Sequence, residues 1–169
     1  MVPDKLVCFA HGQESGPWGT KISHLAPIAR ALGYEVLSPD YSHTRDPHER
    51  VRHLLALAPQ ARQALVLVGS SLGGYVSAMA CAALKPRALL LMAPALYFPG
   101  FDEEPAGIPA LACVVHGWRD ELVPYERALR FAQKHRAALH LLDSGHTLTD
   151  QLPLLALLFE DLLRRAAAT

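Results

Sequence analysis

The chain of 169 residues is 51% hydrophobic and carries 16 basic against 16 acidic residues, a formal net charge of zero. That length and apolar content are enough to bury one core, and no Ser- or Gly-rich linker or charge run divides the chain, so one domain spanning residues 1–169 is expected. Balanced charge leaves no broad field for nucleic acid or an anionic membrane surface, and neither is expected as a partner.

The apolar run Leu6 to Ala10 reads as a first strand. It is too brief for a signal-peptide core or a membrane span, so a cytoplasmic location is expected. A helix is predicted near Thr20 to Leu32 and a strand near Glu35 to Ser38. The polar stretch that follows holds His43, Asp46, His48 and His53; imidazole and carboxylate suit zinc, but the spacing matches no familiar ligand pattern, and no metal is expected. Next come a helix near His48 to Leu57, a strand near Leu65 to Val68, a helix near Leu72 to Leu84 and a strand near Ala88 to Met92. Ala93 to Pro109, with Pro94, Pro99, Gly100, Pro105 and Pro109, reads as an irregular loop, and its Asp102-Glu103-Glu104 run as a solvated face. A strand near Ala112 to His116, a helix near Tyr125 to His135, a strand near Ala138 to Leu142 and a helix near Leu152 to Ala167, with Pro153 in its first turn, complete the chain.

The strands are continuous Val/Leu runs without in–out alternation, the pattern of a parallel sheet covered by helices on both faces. The fold class is therefore α/β: a three-layer sandwich with a mostly parallel sheet of about six strands. Cys8, Cys81 and Cys113 are odd in number, lie in apolar segments and lack C-x-x-C spacing, so they read as reduced core residues.

The chemistry begins at Gly69-Ser70-Ser71-Leu72-Gly73, a G-x-S-x-G pentapeptide between a predicted strand and a predicted helix. A serine on such a sharp turn exposes its Oγ at a helix N-terminus and needs neighbours without a Cβ. Ser71 is the nucleophile candidate, being the serine with glycine two positions away on both sides, and Ser70 reads as a small packing residue. Ligands of an open parallel sheet meet the loops at the carboxyl ends of its strands. Three further loops there carry reactive residues: His11-Gly12-Gln13-Glu14, His116-Gly117-Trp118-Arg119-Asp120 and Asp143-Ser144-Gly145-His146.

On four stretches, His11-Gly12, Gly69 to Gly73, His116 to Pro124 and Ser144-Gly145-His146, in this order and over essentially the whole chain, the sequence resembles the α/β-hydrolase superfamily, in particular its small lidless, ester-cleaving members. The resemblance implies a minimal α/β-hydrolase fold, with Ser71 as nucleophile, His146 as general base and then acid, and Asp120 as the carboxylate that orients the imidazole. A serine hydroxyl is a poor nucleophile near neutrality and needs a base such as histidine beside it. Asp120 also has the place of a turn acid or a helix N-cap, and Asp143 is the alternative acid. The oxyanion would be met by the N–H of Leu72 and by that of Gln13, although Glu14 in the same loop leaves open which amide points inward. The chain departs from larger members in lacking two leading antiparallel strands and a cap domain, so an open site is expected.

Trp18, Tyr41, Tyr97, Phe98, Phe101 and Trp118 lie in loops at the same edge. Of these, Trp18, Tyr97, Phe98 and Trp118 are taken as candidate substrate-pocket residues, with loop anchoring as the competing role. Arg119 reads as a surface charge, of interest if the substrate carries a carboxylate. No G-x-G-x-x-G fingerprint is present and no cofactor is expected. The expected function is a serine hydrolase that cleaves a carboxylic ester or thioester of a small molecule, as a monomer or homodimer. The alternatives are a catalytically weak binding or regulatory protein on the same fold, or a peptidase or acyltransferase using the same three side chains.

Overall fold

A computed structural model describes residues 1–168. Its strands are β1 (Lys5–Ala10), β2 (Glu35–Leu37), β3 (Ala64–Ser70), β4 (Ala88–Met92), β5 (Leu111–Gly117) and β6 (Ala138–Leu142). Its helices are α1 (Thr20–Ala31), α2 (Pro47–Leu57), α3 (Leu72–Leu84), α4 (Tyr125–His135) and α5 (Leu152–Ala167), the last preceded by a 3-10 turn, Thr149–Gln151. All neighbouring strands pair in parallel, in the order β2-β1-β3-β4-β5-β6.

Successive strand residues feed two apolar layers. Val7, Phe9, Val66, Val68, Leu90, Met92 and Val115 pack against Ile22 and Leu25 of α1 and Leu155, Phe159 and Leu163 of α5. Leu6, Cys8, Leu65, Leu67, Leu89, Leu91 and Val114 pack against Leu54 of α2, Tyr75 and Val76 of α3 and Phe131 of α4. Each such side chain contributes about 1.5–3 kcal/mol on burial, which explains why the middle of each inner strand is apolar on both faces. The expected three-layer sandwich is what forms, without a cap between β4 and β5.

The outer strands differ from the reading of uniform two-sided burial. Glu35 and Ala138 are exposed and the rest of β2 and β6 is half-buried, because each is an edge strand with one neighbour. Ser38 falls outside β2. Helix α1 stops one residue before Leu32, where Gly33 takes φ +79° and its amide bonds back to Arg30 O. Helix α2 begins one residue early, at Pro47, because the Asp46 carboxylate caps it by accepting from the amides of His48 and Glu49.

The β4–β5 connection is irregular as expected, but Glu103 and Glu104 are not merely a solvated face. Glu103 accepts from Tyr75 OH at 2.9 Å and pairs with His48 at 2.6 Å, while Glu104 accepts from Tyr97 OH at 2.7 Å and pairs with Lys134 and His135. These contacts tie the loop to α2, α3 and α4, and they account for His48. His43 and His53 lie ring against ring at 5.1 Å. Among the described residues no helix is long and apolar enough to cross a membrane.

The chain runs outward from β1 to β2, then returns past β1 to β3 and continues in the other direction. The carboxyl ends of β1 and β3 therefore flank the switch point of the sheet, where a crevice opens between loops that leave in opposite directions.

Candidate active site

The turn after β3 is strained. Ser71 has φ 53° and ψ −118°, a conformation that costs a non-glycine residue about 1–3 kcal/mol. Its backbone is held on both sides: its amide donates to Met92 O at 2.9 Å, and its carbonyl accepts from the amides of Gly74 and Ala95, each at 2.9 Å. The glycines are required by close approach. A Cβ on Gly69 would lie 2.2 Å from Gly73 O, and one on Gly73 would lie 1.9 Å from Ala10 O. Gly74, outside the pentapeptide, is similarly confined, with its Cβ position 2.7 Å from the Pro94 side chain.

The loops after β5 and β6 interlock. A Cβ on Gly117 would meet Ser144 O at 2.2 Å, and the amides of Trp118 and Arg119 donate to Leu142 O and Ser144 O at 2.8 and 3.0 Å. This stitching brings Asp120 and His146 together. His146 Nδ1 lies 2.7 Å from Asp120 Oδ2, and His146 Nε2 lies 2.9 Å from Ser71 Oγ. With the proton on Nδ1, facing the carboxylate, Nε2 presents its lone pair to the serine hydroxyl.

The Asp120 side chain is 0% exposed. Its Oδ1 accepts from the amides of Leu122 and Val123 at 2.9 and 2.8 Å, so the turn-acid role and the contact with His146 coexist on opposite oxygens. His116 Nε2 lies 3.2 Å from Oδ2 and donates to Val123 O at 2.8 Å. Burial pushes the His116 imidazole below its ordinary pKa, which favours a neutral ring facing Asp120, and its buried Nδ1 has no partner among the described residues. The contact is invisible as a motif, although the i,i+4 spacing of His116 and Asp120 is a sequence clue. Asp143 is placed elsewhere: its carboxylate is 85% exposed and pairs at 2.7 Å with Arg119, which is the surface charge it was read to be.

On the other side of Ser71 stands the β1–α1 loop. A Cβ built on Gly12 would lie 3.4 Å from Ser71 Cβ. His11, fully buried, accepts from the Tyr41 amide at Nε2 (2.9 Å) and therefore donates from Nδ1 to Gly12 O (2.7 Å). Burial lowers its pKa, in keeping with this neutral tautomer. The amides of Gln13 and Leu72 have no hydrogen-bond partner among the described residues.

Beside Ser70 lies a cavity of about 170 Å³ lined by His11, Ser15, Gly19, Thr20, Lys21, Ile22, Thr147 and Thr149. Lys21 Nζ donates to Thr147 O at 2.7 Å, joining α1 to the loop that carries His146, and burial pushes its ammonium below the usual lysine range. The four candidate pocket aromatics do not line this cavity. Trp18 and Trp118 are half exposed, the first beside Arg30 and the second edge-on to Tyr125. Tyr97 lies under Arg130, and Phe98 lies between Phe101 and Arg127, in loop-anchoring positions. The lining residues are mostly polar and come from the β1–α1 loop, the start of α1, the end of β3 and the loop after His146, which is why no sequence pattern gathers them.

Fold and site define an α/β hydrolase: residues 9–168 match the model of the alpha/beta hydrolase family, and the chain belongs to it. It is similar over 97% of its length to an α/β-superfamily protein of Xanthomonas campestris pv. campestris, at 33% identity, with 99% of that chain covered and a TM-score of 0.86. It also resembles an α/β serine hydrolase without a lid from Xanthomonas campestris (24% identity, 100% and 85% of the two chains, TM-score 0.79). Est1E from Butyrivibrio proteoclasticus has the same fold (19% identity, 99% and 90%, TM-score 0.81). No match is found among curated proteins. Family membership supports a hydrolase.

Proposed function

We propose that the chain is a serine hydrolase that cleaves a carboxylic ester or thioester of a small molecule through an acyl-enzyme. The observation that carries this reading is the continuous hydrogen-bonded line Asp120–His146–Ser71, at 2.7 and 2.9 Å, ending at a hydroxyl on a strained turn. His146 Nε2 takes the proton as Ser71 Oγ adds to the substrate carbonyl carbon, and Asp120 holds the imidazole in the productive tautomer. The developing oxyanion accepts from the Leu72 and Gln13 amides, neither of which has another partner among the described residues. Collapse expels the alcohol or thiol, which leaves with the proton from His146. Water then repeats the sequence on the acyl-enzyme and releases the acid.

The cavity beside Ser70 fits a small group with polar atoms, which would meet the hydroxyls of Ser15, Thr20 and Thr149 and the Lys21 ammonium. We assign the protein to the cytoplasm as a cofactor-independent enzyme, monomeric or homodimeric. The test is intact-protein mass after treatment with a fluorophosphonate, on wild type, Ser71→Ala and His146→Ala. One adduct on wild type, absent from both variants, is expected. No adduct on folded wild type would favour a binding protein without turnover.

A further inference from the structure

Arg50 of α2 is 1% exposed, yet its hydrogen bonds run to main-chain oxygens rather than to a carboxylate. Nε donates to Thr44 O at 2.9 Å, and Nη1 donates to His11 O and Gly12 O at 3.2 and 3.3 Å. The guanidinium also sits over the Tyr41 ring, 5.8 Å from its centroid. Asp40, beside Tyr41, is turned toward His11 and the Ser42 amide. Burying a guanidinium without a paired acid is costly, and a neutral side chain of the same volume would fill the space without that cost. What a neutral side chain lacks is the rigid fork of N–H donors that binds two carbonyls of adjacent residues at once.

Those two carbonyls belong to the loop that faces Ser71. In a trans peptide the C=O and the following N–H point in opposite directions. Turning the carbonyls of His11 and Gly12 onto Arg50 therefore turns the amides of Gly12 and Gln13 away from it. Gly12 O is held twice, by Arg50 Nη1 and by His11 Nδ1, and Gly12 itself packs on Ser71. The Gln13 N–H at the end of this pinned peptide has no partner among the described residues.

We propose that Arg50 is a positioning residue for the oxyanion hole: its buried guanidinium fixes the Gly12–Gln13 peptide so that the Gln13 N–H is aimed, before substrate arrives, at the oxygen that becomes negative. This rests on the serine-hydrolase reading of the same site. Arg50 touches no reacting atom; it acts through one main-chain amide. Removing it should cost transition-state stabilisation with little change in ground-state binding.

The test compares wild type, Arg50→Lys and Arg50→Met on p-nitrophenyl acetate, with circular dichroism to establish folding. Lysine keeps the charge without the fork; methionine keeps only the bulk. For both we expect kcat to fall at least tenfold with KM within about twofold, and affinity for a trifluoromethyl ketone to fall in parallel with kcat/KM. An unchanged kcat in folded Arg50→Lys, or a loss confined to KM, overturns the proposal. A measurement on wild type alone covers the case in which neither variant folds: the Gln13 amide proton should move downfield when the trifluoromethyl ketone occupies the site, and an unmoved resonance overturns the proposal. Fluorophosphonate labelling of wild type separates the two readings. Labelled wild type with full activity in Arg50→Lys removes Arg50 alone, whereas unlabelled wild type removes both.

Discussion

The two sides of Ser71 are built from different materials. On the side of β5 and β6, the groups that reach the serine are side chains: a buried carboxylate, then an imidazole, each within hydrogen-bond distance of the next. On the side of β1, what faces the serine is main chain, held in place by His11 and Arg50 from behind. Side chains of the first kind can be replaced one at a time by mutation. Amides of the second kind are fixed by the path of the loop, and their support comes from the adjacent His11 and from Arg50, which is distant in sequence. The comparison predicts steep, local losses on one side and losses transmitted through the backbone on the other.

The largest effect that tests this contrast is Asp120→Asn. The asparagine keeps the shape but offers His146 a different hydrogen-bond pattern, so kcat/KM is expected to fall about 10⁴-fold. Asp143→Asn, at the surface with Arg119, should cost less than about threefold in the same ester assay. If the two results were exchanged, the acid would lie at Asp143 and the interlocked β5–β6 loops would have to rearrange in solution.

Next in size is the main-chain side. Gln13→Pro deletes an N–H while leaving the preceding carbonyl available to Arg50 and His11; a loss of about 10²–10³ in kcat is expected, as for removal of one oxyanion donor. Gln13→Ala deletes only the side chain and should stay within about threefold of wild type. Equal losses in the two variants would assign the role to the Gln13 side chain and undo the contrast drawn above. Equal activity in both would leave Leu72 as the sole main-chain donor.

The same division explains what the sequence discloses. Ser71, Asp120 and His146 are legible because each lies in a short motif at the end of a strand whose apolar run is itself legible, and parallel pairing of β3 with β4 and of β5 with β6 gathers the loops at one sheet edge. The glycines are legible for the same reason, since Gly69, Gly73 and Gly117 mark places where two backbones touch. Arg50 has no such signal: in a list of residues it is one more charge on an amphipathic helix, and only the packing of α2 beneath the β1–α1 loop reveals it as buried. The aromatic residues mark the limit from the other side. Tyr97 and Phe98 sit in a loop near the right edge, but Arg130 and Arg127 of α4 take their ring faces. Loop position alone does not say which way a ring turns.

The smallest effect concerns stability, and it compares the histidines that support each side. His11 and His116 are both buried and both held below the ordinary value of 6.5 by desolvation. In the unfolded chain they return to that value, so between it and the lower folded value the unfolded state binds protons that the folded state refuses. Their contribution to stability is therefore complete above about pH 6.5 and is lost as pH falls, by up to about 1.4 kcal/mol per pH unit for each proton taken up on unfolding. Urea unfolding of wild type and His116→Gln at pH 7.5, 6.5 and 5.5 isolates one of the two: the variant should be less stable overall but lose less on acidification. A steeper loss in the variant would mean that His116 is an imidazolium paired with Asp120, its folded pKa raised. The pair would then strengthen as pH falls, and the carboxylate that contacts His146 would also carry an ion pair to His116.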